Sequence, residues 1–404
     1  MKRTVALLVL SSLILASCRP TPTPKPSDPG GVAPAAPVVG QSVELQAIPG
    51  TAESAAKQLI ALTDPNNPDM DPDLKALLGV FSGTSPTALN LRSLGSFGQG
   101  LAQGFGGKGK MTVQALTTIQ YALPTGTFTY PRTGGRTYSA QPADGYVIIS
   151  EADNARVEFN WKVGGAATVW VNNGYQYNYA TNQYQQVQRE VPTNARGSLT
   201  AAGKTVAGLT FTMTPGDCLN SAGPTALALS AWAGRANNAP AKVDLNYAWT
   251  ERDISLSGSA LYSTKSQKAS ADLKLNVTGT TSDRCGTALS FTPTRADLTG
   301  TLDVPSHRTE LAVYLRDLGN LEFSEKAMTV ADPFAKVSGT VNGSLKFNGA
   351  SVITASGPLA DGTDMDLIPG DQVKVQYVKS GALIKTDVAG AMHDLGILFG
   401  AGVN

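Results

Sequence analysis

Hydrophobic and polar residues alternate with a period of two over most of the chain beyond about Gly126. Between Ala269 and Val277, alanine, leucine and valine occupy every odd position, and polar residues occupy the even ones. The same alternation recurs in residues 242–249, 254–260, 297–304 and 372–377. Each such segment predicts a half-buried β-strand. Turn-type sequences separate the segments: Gly164-Gly165, Asn172-Asn173-Gly174, Asn237-Asn238, Glu251-Arg252-Asp253 and Asn342-Gly343.

This pattern predicts a mainly β fold built as a large antiparallel meander of roughly 15–18 strands. Open twisted sheets rarely exceed about ten strands, so we expect the meander to curl or split into a barrel-like or sandwich architecture. No apolar period of helical length lies between the strands, which argues against parallel crossovers.

A shorter region before the strands has helical periodicity. Thr51 is expected to cap a helix over residues 52–62, and Asp71 a second helix that begins with Pro72. Residues 85–105 indicate a third helix, interrupted by glycines. We therefore expect short helices over residues 51–110 and one antiparallel β domain over residues 111–404.

The first eighteen residues form an export signal. Lys2 and Arg3 precede an apolar run over residues 5–15, and Leu15-Ala16-Ser17-Cys18 follows. This sequence resembles the lipobox of bacterial lipoproteins. The resemblance implies that a signal peptide of residues 1–17 is removed. It also implies that the Cys18 thiol receives diacylglycerol and that its new amine is acylated, with palmitate as a typical chain. The alternative is an ordinary signal peptide that contains a chance cysteine.

Residues 18–50 contain many prolines, which favour an extended polyproline II tether. At about 3.1 Å per residue, thirty residues would reach roughly 90 Å. Two or three acyl chains would hold the chain firmly on a membrane. The expected location is therefore the bacterial cell envelope, with the protein lipid-anchored on the outer or inner membrane, outside the cytoplasm.

Composition narrows the possible partners. The formal net charge is +1, so no broad field attracts nucleic acid. No segment after the leader is apolar for the ~20 residues that a membrane-spanning helix needs. With Cys18 acylated, Cys218 and Cys285 remain, and an exported pair predicts a disulfide. Two buried, unpaired thiols are the alternative.

Catalytic motifs are incomplete. Ser54-Ala55-Ala56-Lys57 matches the S-x-x-K of penicillin-recognising enzymes, but the S-D-N and K-T-G elements do not occur. His307 and His393 are the two histidines, and no G-x-S-x-G motif accompanies them. Gly203-Lys204-Thr205 lacks the spacing of a phosphate loop and predicts a hairpin turn. We therefore predict no catalytic residues, no cofactor and no enzymatic activity.

Two acidic segments are weak calcium candidates. Asp69, Asp71 and Asp73 have the spacing of a calcium loop but lack its glycine and its bidentate glutamate. The second segment contains Asp361, Asp364 and Asp366. Helix capping and a solvated loop are the alternative interpretations.

Aromatic residues concentrate in one stretch. Tyr175, Tyr177 and Tyr179 alternate along a strand, Trp161 and Trp170 precede them, and Tyr184 follows. Tyrosine and tryptophan provide flat, amphipathic surface suited to sugars and proteins. Cross-strand packing inside the core is the alternative.

The sequence therefore predicts a tethered lipoprotein with a non-catalytic binding or scaffold role. Its expected partners are cell-wall polysaccharide, an envelope protein or lipid. The alternatives are a carrier of lipid or another hydrophobic ligand in a curved sheet and a transmembrane β-barrel.

Overall fold

The computed structural model of the chain describes residues 29–64, 66–74, 118–123, 125–151, 154–161, 168–179, 181–216, 224–234, 240–283, 290–319, 338–359 and 372–399. These residues form two helices of at least three turns, α1 (Ile48–Thr63) and α2 (Val388–Phe399). The strands among them are β1 (Thr118–Tyr121), β2 (Gly126–Tyr130), β3 (Thr137–Ser139), β4 (Gly145–Ser150), β5 (Ala155–Asn160), β6 (Thr168–Asn178), β7 (Gln183–Pro192), β8 (Asn194–Ala201), β9 (Lys204–Thr214), β10 (Ala226–Ala233), β11 (Ala241–Trp249), β12 (Asp253–Ser263), β13 (Lys268–Asp283), β14 (Ser290–Val304), β15 (His307–Gly319), β16 (Ser338–Phe347), β17 (Ala350–Pro358), β18 (Lys374–Lys379) and β19 (Ala382–Thr386).

The mainly β fold is confirmed. Sixteen strands follow one another in the order β19 to β8, then β5, β4, β2 and β3, and a separate sheet has the order β1-β7-β6. The run from β12 to β19 is an antiparallel meander, as the alternation predicts. Among the described strands, the large sheet does not close into a barrel, because β19 and β3 each have one neighbouring strand.

Two parallel strand pairs occur, although the sequence argued against parallel crossovers. β2 pairs in parallel with β4, and β1 pairs in parallel with β7. The short strand β3 lies on the other side of β2, so the chain returns to β4 through a three-residue strand and two loops. A crossover without a helix leaves no helical period in the sequence, and the pattern therefore could not reveal it.

The chain divides into two compact units. Unit 1 combines the described residues of Met1–Asn67, Asp244–Arg284 and Ala288–Asn404, and unit 2 contains those of Pro68–Val243. The region predicted as a single β domain thus contributes to both units.

In unit 1, strand alternation places the apolar side chains on one face of the sheet. Directly paired residues continue this face from strand to strand, through Leu256, Leu275, Leu298, Val313, Gly343, Ala355 and Val375. The opposite positions are polar, for example Ser257, Lys274 and Thr299.

Helices and the N-terminal segment cover much of this apolar face. Leu45 and Ile48 are buried against β16, β17 and β18 in a cluster centred on Val352 and Tyr377. Along α1, Ala55 and Leu62 pack with Ala269 and Val304 in a second cluster. These parts of unit 1 are packed core.

The N-terminal segment differs from the extended tether predicted over residues 18–50. Residues 29–31 form a short 3-10 turn on the polar face, where Asn342 Nδ2 donates to Gly30 O at 2.6 Å. Further along, Val43 N donates to Ser351 O at 3.0 Å, and Glu44 forms a parallel bridge with Val378. Proline excludes regular pairing, but it does not prevent the segment from docking.

The helix boundaries also differ from prediction. The first helix begins at Ile48 rather than after Thr51, whose hydroxyl instead donates to Ala47 O within the helix. Pro49 suits this start because its fixed φ is compatible with a first helical turn. His393 lies in α2, a helix that the sequence analysis did not predict.

Two of the predicted turns lie inside strands. Asn342-Gly343 lies within β16, and Asn172-Asn173-Gly174 lies within β6. By contrast, Glu251-Arg252-Asp253 does join β11 to β12, where Thr250 N donates to Asp253 O at 2.8 Å. Asn-Gly sequences favour turns. Pairing with neighbouring strands on both sides can nevertheless keep such a sequence extended inside a sheet.

Among the described residues, no helix is both long enough and apolar enough to cross a bilayer.

Candidate functional site

The predicted aromatic residues map largely onto one β-hairpin of unit 2. β6 and β7 pair antiparallel, and β1 adds to the other edge of β7. We call β6, β7 and their connecting loop the aromatic hairpin.

One face of this hairpin is buried. Val187 and Val191 on β7 are 6% and 5% exposed. Val191 belongs to a core cluster with Trp161 and Phe211, and Val169 of β6 packs against it. The odd positions of β7 therefore face the core of unit 2, and its even positions face away.

A β-bulge decides which residues of β6 share the outward face. Trp170 pairs with Glu190, and Asn172 pairs with Gln188, but the next paired residue is Tyr175, opposite Gln186. Three residues on β6 thus span the same distance as two on β7, so one residue is extra. A one-residue shift exchanges the two faces of a strand. Tyr177 consequently lies opposite Tyr184, an outward position, although unbroken alternation would place it on the face of Val169.

The outward face ends in an aromatic cluster. The rings of Tyr177 and Tyr184 lie 5.0 Å apart at 65°, and those of Tyr177 and Tyr179 lie 5.1 Å apart at 84°. Tyr179 is 90% exposed, Tyr184 41% and, further down the hairpin, Trp170 38%. Edge-to-face packing fixes the rings relative to one another while their faces remain accessible.

Polar contacts shape the loop of the hairpin. The Tyr177 hydroxyl donates to Asn182 Oδ1, and Asn182 adopts a positive φ of 55°. Asn178 Nδ2 donates to Gln185 Oε1 at 3.0 Å, and its Oδ1 accepts from Thr181 N at 3.3 Å. These bonds hold the loop that carries Tyr179. The sequence analysis missed Asn182, although asparagine's tolerance of left-handed backbone offered a signal.

Glu190 fixes the base of the hairpin. Its carboxylate accepts from the Thr168 hydroxyl at 2.5 Å and from Leu123 N at 3.0 Å. This residue joins β6 and β7 to the chain that follows β1, and the sequence analysis missed its role.

Two of the predicted aromatic residues stand apart from the cluster. Trp161 is 3% exposed, and its ring stacks on Phe159 at 5.5 Å, so it belongs to the core rather than to the exposed face. Including it in the binding face was wrong, because alternation on neighbouring strands does not show which face is buried. Tyr175 lies in register with Gln186, but its side chain is outside the described part of the structure.

Several predicted residues lie outside the described part of the chain. These are Cys18, Cys218, Cys285, Asp361, Asp364 and Asp366. Lipidation, the disulfide and the second calcium site therefore stay predictions.

The first acidic segment behaves as a helix cap. Asp71 Oδ1 accepts from Asp73 N at 2.9 Å and from Leu74 N at 3.1 Å, which confirms the predicted capping role. In the described part of the chain, no group of three or more histidine, cysteine, aspartate or glutamate side chains is arranged to hold a metal ion.

The structure brings together Ser54 and His307, which the sequence analysis treated separately. His307 Nε2 and Ser54 Oγ lie 2.9 Å apart, and Ser306 N donates to Gln58 Oε1 at 3.3 Å. Lys57 forms an ion pair with Glu53 instead of contacting Ser54. A catalytic triad requires a carboxylate that accepts a hydrogen bond from the other imidazole nitrogen. Within the described residues, no carboxylate makes this bond to His307. We interpret these contacts as docking α1 onto the β14–β15 turn.

Comparisons with protein-family models, with curated proteins and with solved structures gave no match.

Proposed function

We propose that this chain is a cell-envelope lipoprotein that binds polysaccharide through the aromatic hairpin. The observation that carries the proposal is the bulge between Asn172 and Tyr175, which turns Tyr177 away from the core. Core packing of the tyrosines was the competing interpretation. The exposure of Tyr179 and Tyr184 argues against it for these two residues.

The chemistry of the outward face suits sugars. Flat aromatic rings stack on the C–H faces of pyranose rings, and the phenolic hydroxyls add hydrogen bonds. The positions between the rings and the hairpin base carry Gln186 and Gln188, whose amides both donate and accept. Among the described residues of this face, Glu190 carries the one carboxylate. Its oxygens already accept hydrogen bonds from the Thr168 hydroxyl and from Leu123 N.

The expected anchor gives the protein a defined reach. Residues 29–31 pack on the polar face of the unit 1 sheet, and eleven residue steps separate Cys18 from Pro29. At about 3.1 Å per residue, even a fully extended connection over these steps would reach about 35 Å, less than half of the reach expected for a tether that ran to residue 50. Acylation at Cys18 would thus keep unit 1 near the bilayer.

A carrier function has less support. In unit 1 the chain's own residues, including Leu45, Ile48 and Leu62, cover much of the apolar sheet face that a hydrophobic ligand would need. A binding surface on the hairpin requires no internal void.

Affinity electrophoresis tests the proposal by measuring how strongly purified cell-wall polysaccharide retards the protein in the gel. The variant Tyr177→Ala/Tyr179→Ala/Tyr184→Ala should lose at least about tenfold in affinity, because stacked aromatic residues dominate such interfaces. Ile60→Ala/Met392→Ala is the matched control, since it removes exposed apolar side chains (60% and 59% exposed) from unit 1.

Unchanged retention of the triple variant would contradict the proposed role of the hairpin. A loss shared equally by the control variant would show nonspecific adsorption. Mass spectrometry of the membrane-extracted protein tests the anchor separately, since an unmodified Cys18 would refute lipidation.

A further inference from the structure

A second aromatic site lies at the outer end of the large sheet in unit 2. A groove of about 540 Å³ opens between β2, β3 and β4, and its lining is Thr125, Phe128, Arg136, Tyr138 and Tyr146. The volume lies within the usual range of small-ligand sites. We call it the aromatic groove.

Phe128 is the centre of the groove. Its ring lies 4.8 Å from that of Tyr138 and 5.5 Å from that of Tyr146, with interplanar angles of 44° and 56°. Tyr138 is its direct partner across β2 and β3. The three tilted rings form the walls of a shallow trough.

The backbone is adapted to this arrangement. Gly126 has a φ of +93°, and a Cβ at this position would lie 2.7 Å from the Tyr138 ring. Glycine therefore permits both the backbone conformation and the approach of the ring. The Tyr138 hydroxyl donates to Thr125 O at 3.4 Å, which directs the ring over the groove.

Arg136 supplies a positive charge to the groove. Its guanidinium carbon lies 4.9 Å above the Phe128 ring, and the side chain is exposed. Among the described residues it forms no ion pair, and no acidic residue lines the groove. Arg132, four residues earlier, contrasts with it because its Nε donates to Glu151 O at 3.3 Å.

We propose that the aromatic groove binds an acidic saccharide, with a sugar ring against Phe128 and Tyr138 and its carboxylate on Arg136. Guanidinium groups bind carboxylates through two parallel hydrogen bonds. A stacked position above a ring leaves the outer N–H groups of Arg136 directed to solvent or ligand. Aromatic walls and a single cation together match a ring that carries one negative charge.

This site is independent of the aromatic hairpin, since its residues belong to β2, β3, β4 and their loops. An extended peptide added to the exposed edge of β3 is the competing occupant. Such a peptide would bind mainly through the backbone, with little dependence on Arg136.

The experiment is calorimetric titration of the full chain with a digalacturonate and with the neutral digalactose. We expect the acidic disaccharide to bind at least about tenfold more tightly, and added salt to weaken it. Arg136→Gln should remove that preference, and Tyr138→Ala should weaken both sugars. Arg132→Gln, the matched control, should bind as the unaltered chain does.

Equal affinity for both disaccharides, or unchanged binding by Arg136→Gln, would overturn the proposal, and so would absence of binding at millimolar sugar. Binding of an unrelated extended peptide that Arg136→Gln leaves intact would favour the β3 edge instead. The variant Tyr177→Ala/Tyr179→Ala/Tyr184→Ala should retain digalacturonate binding, so failure at one site can be told from failure at the other.

Discussion

Tyr377 on β18 and Tyr184 on β7 are both strand tyrosines, yet they have opposite surroundings. Tyr377 is 1% exposed within the core cluster of unit 1, and its hydroxyl donates to Asp394 Oδ2 at 2.6 Å. Tyr184 is 41% exposed, and its ring contacts Tyr177. In unit 1 the chain supplies α2 to cover its tyrosine, whereas in unit 2 a bulge places Tyr177 beside Tyr184 on the outward face.

The difference teaches that alternation alone does not separate core from binding surface. Tyr377 follows Val373 and Val375 in one alternating series, and Tyr177, the neighbour of Tyr184, lies between Tyr175 and Tyr179 in another. Both series predict a half-buried strand. What distinguishes them is the element that covers each face, together with the register of each strand. Substitutions at the two sites should therefore differ in what they change.

The largest effect is expected at Tyr377. Replacement by alanine removes a fully buried ring and leaves a cavity, which should lower the free energy of unfolding by about 3–5 kcal/mol. Chemical denaturation measures the change. A loss below about 1 kcal/mol would show that this region is not the packed core described.

A pH effect should follow from Asp394. A hydrogen bond from Lys379, and then one from the Tyr377 hydroxyl, hold the pKa of this carboxyl below its usual value. Because the folded pKa is depressed, the contribution to stability is present above the unfolded value near 4 and is lost as the pH falls through the folded pKa.

Asp394→Asn should therefore flatten the acid part of the stability profile while lowering stability at neutral pH. Profiles for the variant and the unaltered chain that stay parallel from neutral pH down through the whole acid range would contradict this account.

The docking of the N-terminal segment allows a smaller, local test. A Cβ on Gly30 would lie 2.7 Å from Tyr314 Cβ and closer still to the Arg316 guanidinium, whereas one on Gly31 would meet nothing within 4 Å. Gly30→Val should thus release residues 29–31 at a cost of about 1–3 kcal/mol, and Gly31→Val should not. Hydrogen exchange at this segment measures the difference, and equal exchange in both variants would refute the docking.

The smallest effect on stability is expected in the aromatic hairpin. Tyr179→Ala alters a side chain that is 90% exposed, so the free energy of unfolding should change by less than about 0.5 kcal/mol. Thermal denaturation checks this. A much larger loss of unfolding free energy would show that Tyr179 packs in the core.

The sequence predicted the antiparallel meander because its signal is local. The alternation from Ala269 to Val277 reappears as β13, paired on both sides. It did not predict α2, where Gly390 and Gly396 weaken the helical pattern. It also took Asn342-Gly343 for a turn, since local turn preference gives no information about neighbouring strands.

The candidate site was only partly predictable, for the same reason. The aromatic cluster is visible in the sequence, but the burial of Trp161 and the bulge before Tyr175 depend on pairing with β7 and on the core beneath it. The aromatic groove depends on a parallel β2–β4 pair, which leaves no sequence signal.

The most direct test of the central claim, that the bulge sets the binding face, is nitration of Tyr177 mapped by mass spectrometry. Deleting Asn173 removes the extra residue, and regular alternation from Val169, which packs on the core, then keeps Tyr177 on the outward face. We expect Tyr177 to be nitrated in the unaltered chain, in Asn173→Ala and after the deletion, because in the unaltered chain the bulge already places it outward, while Tyr184 stays reactive throughout. Protection of Tyr177 in the unaltered chain and in Asn173→Ala, together with its nitration after the deletion, is the pattern of a β6 without a bulge and would contradict the claim.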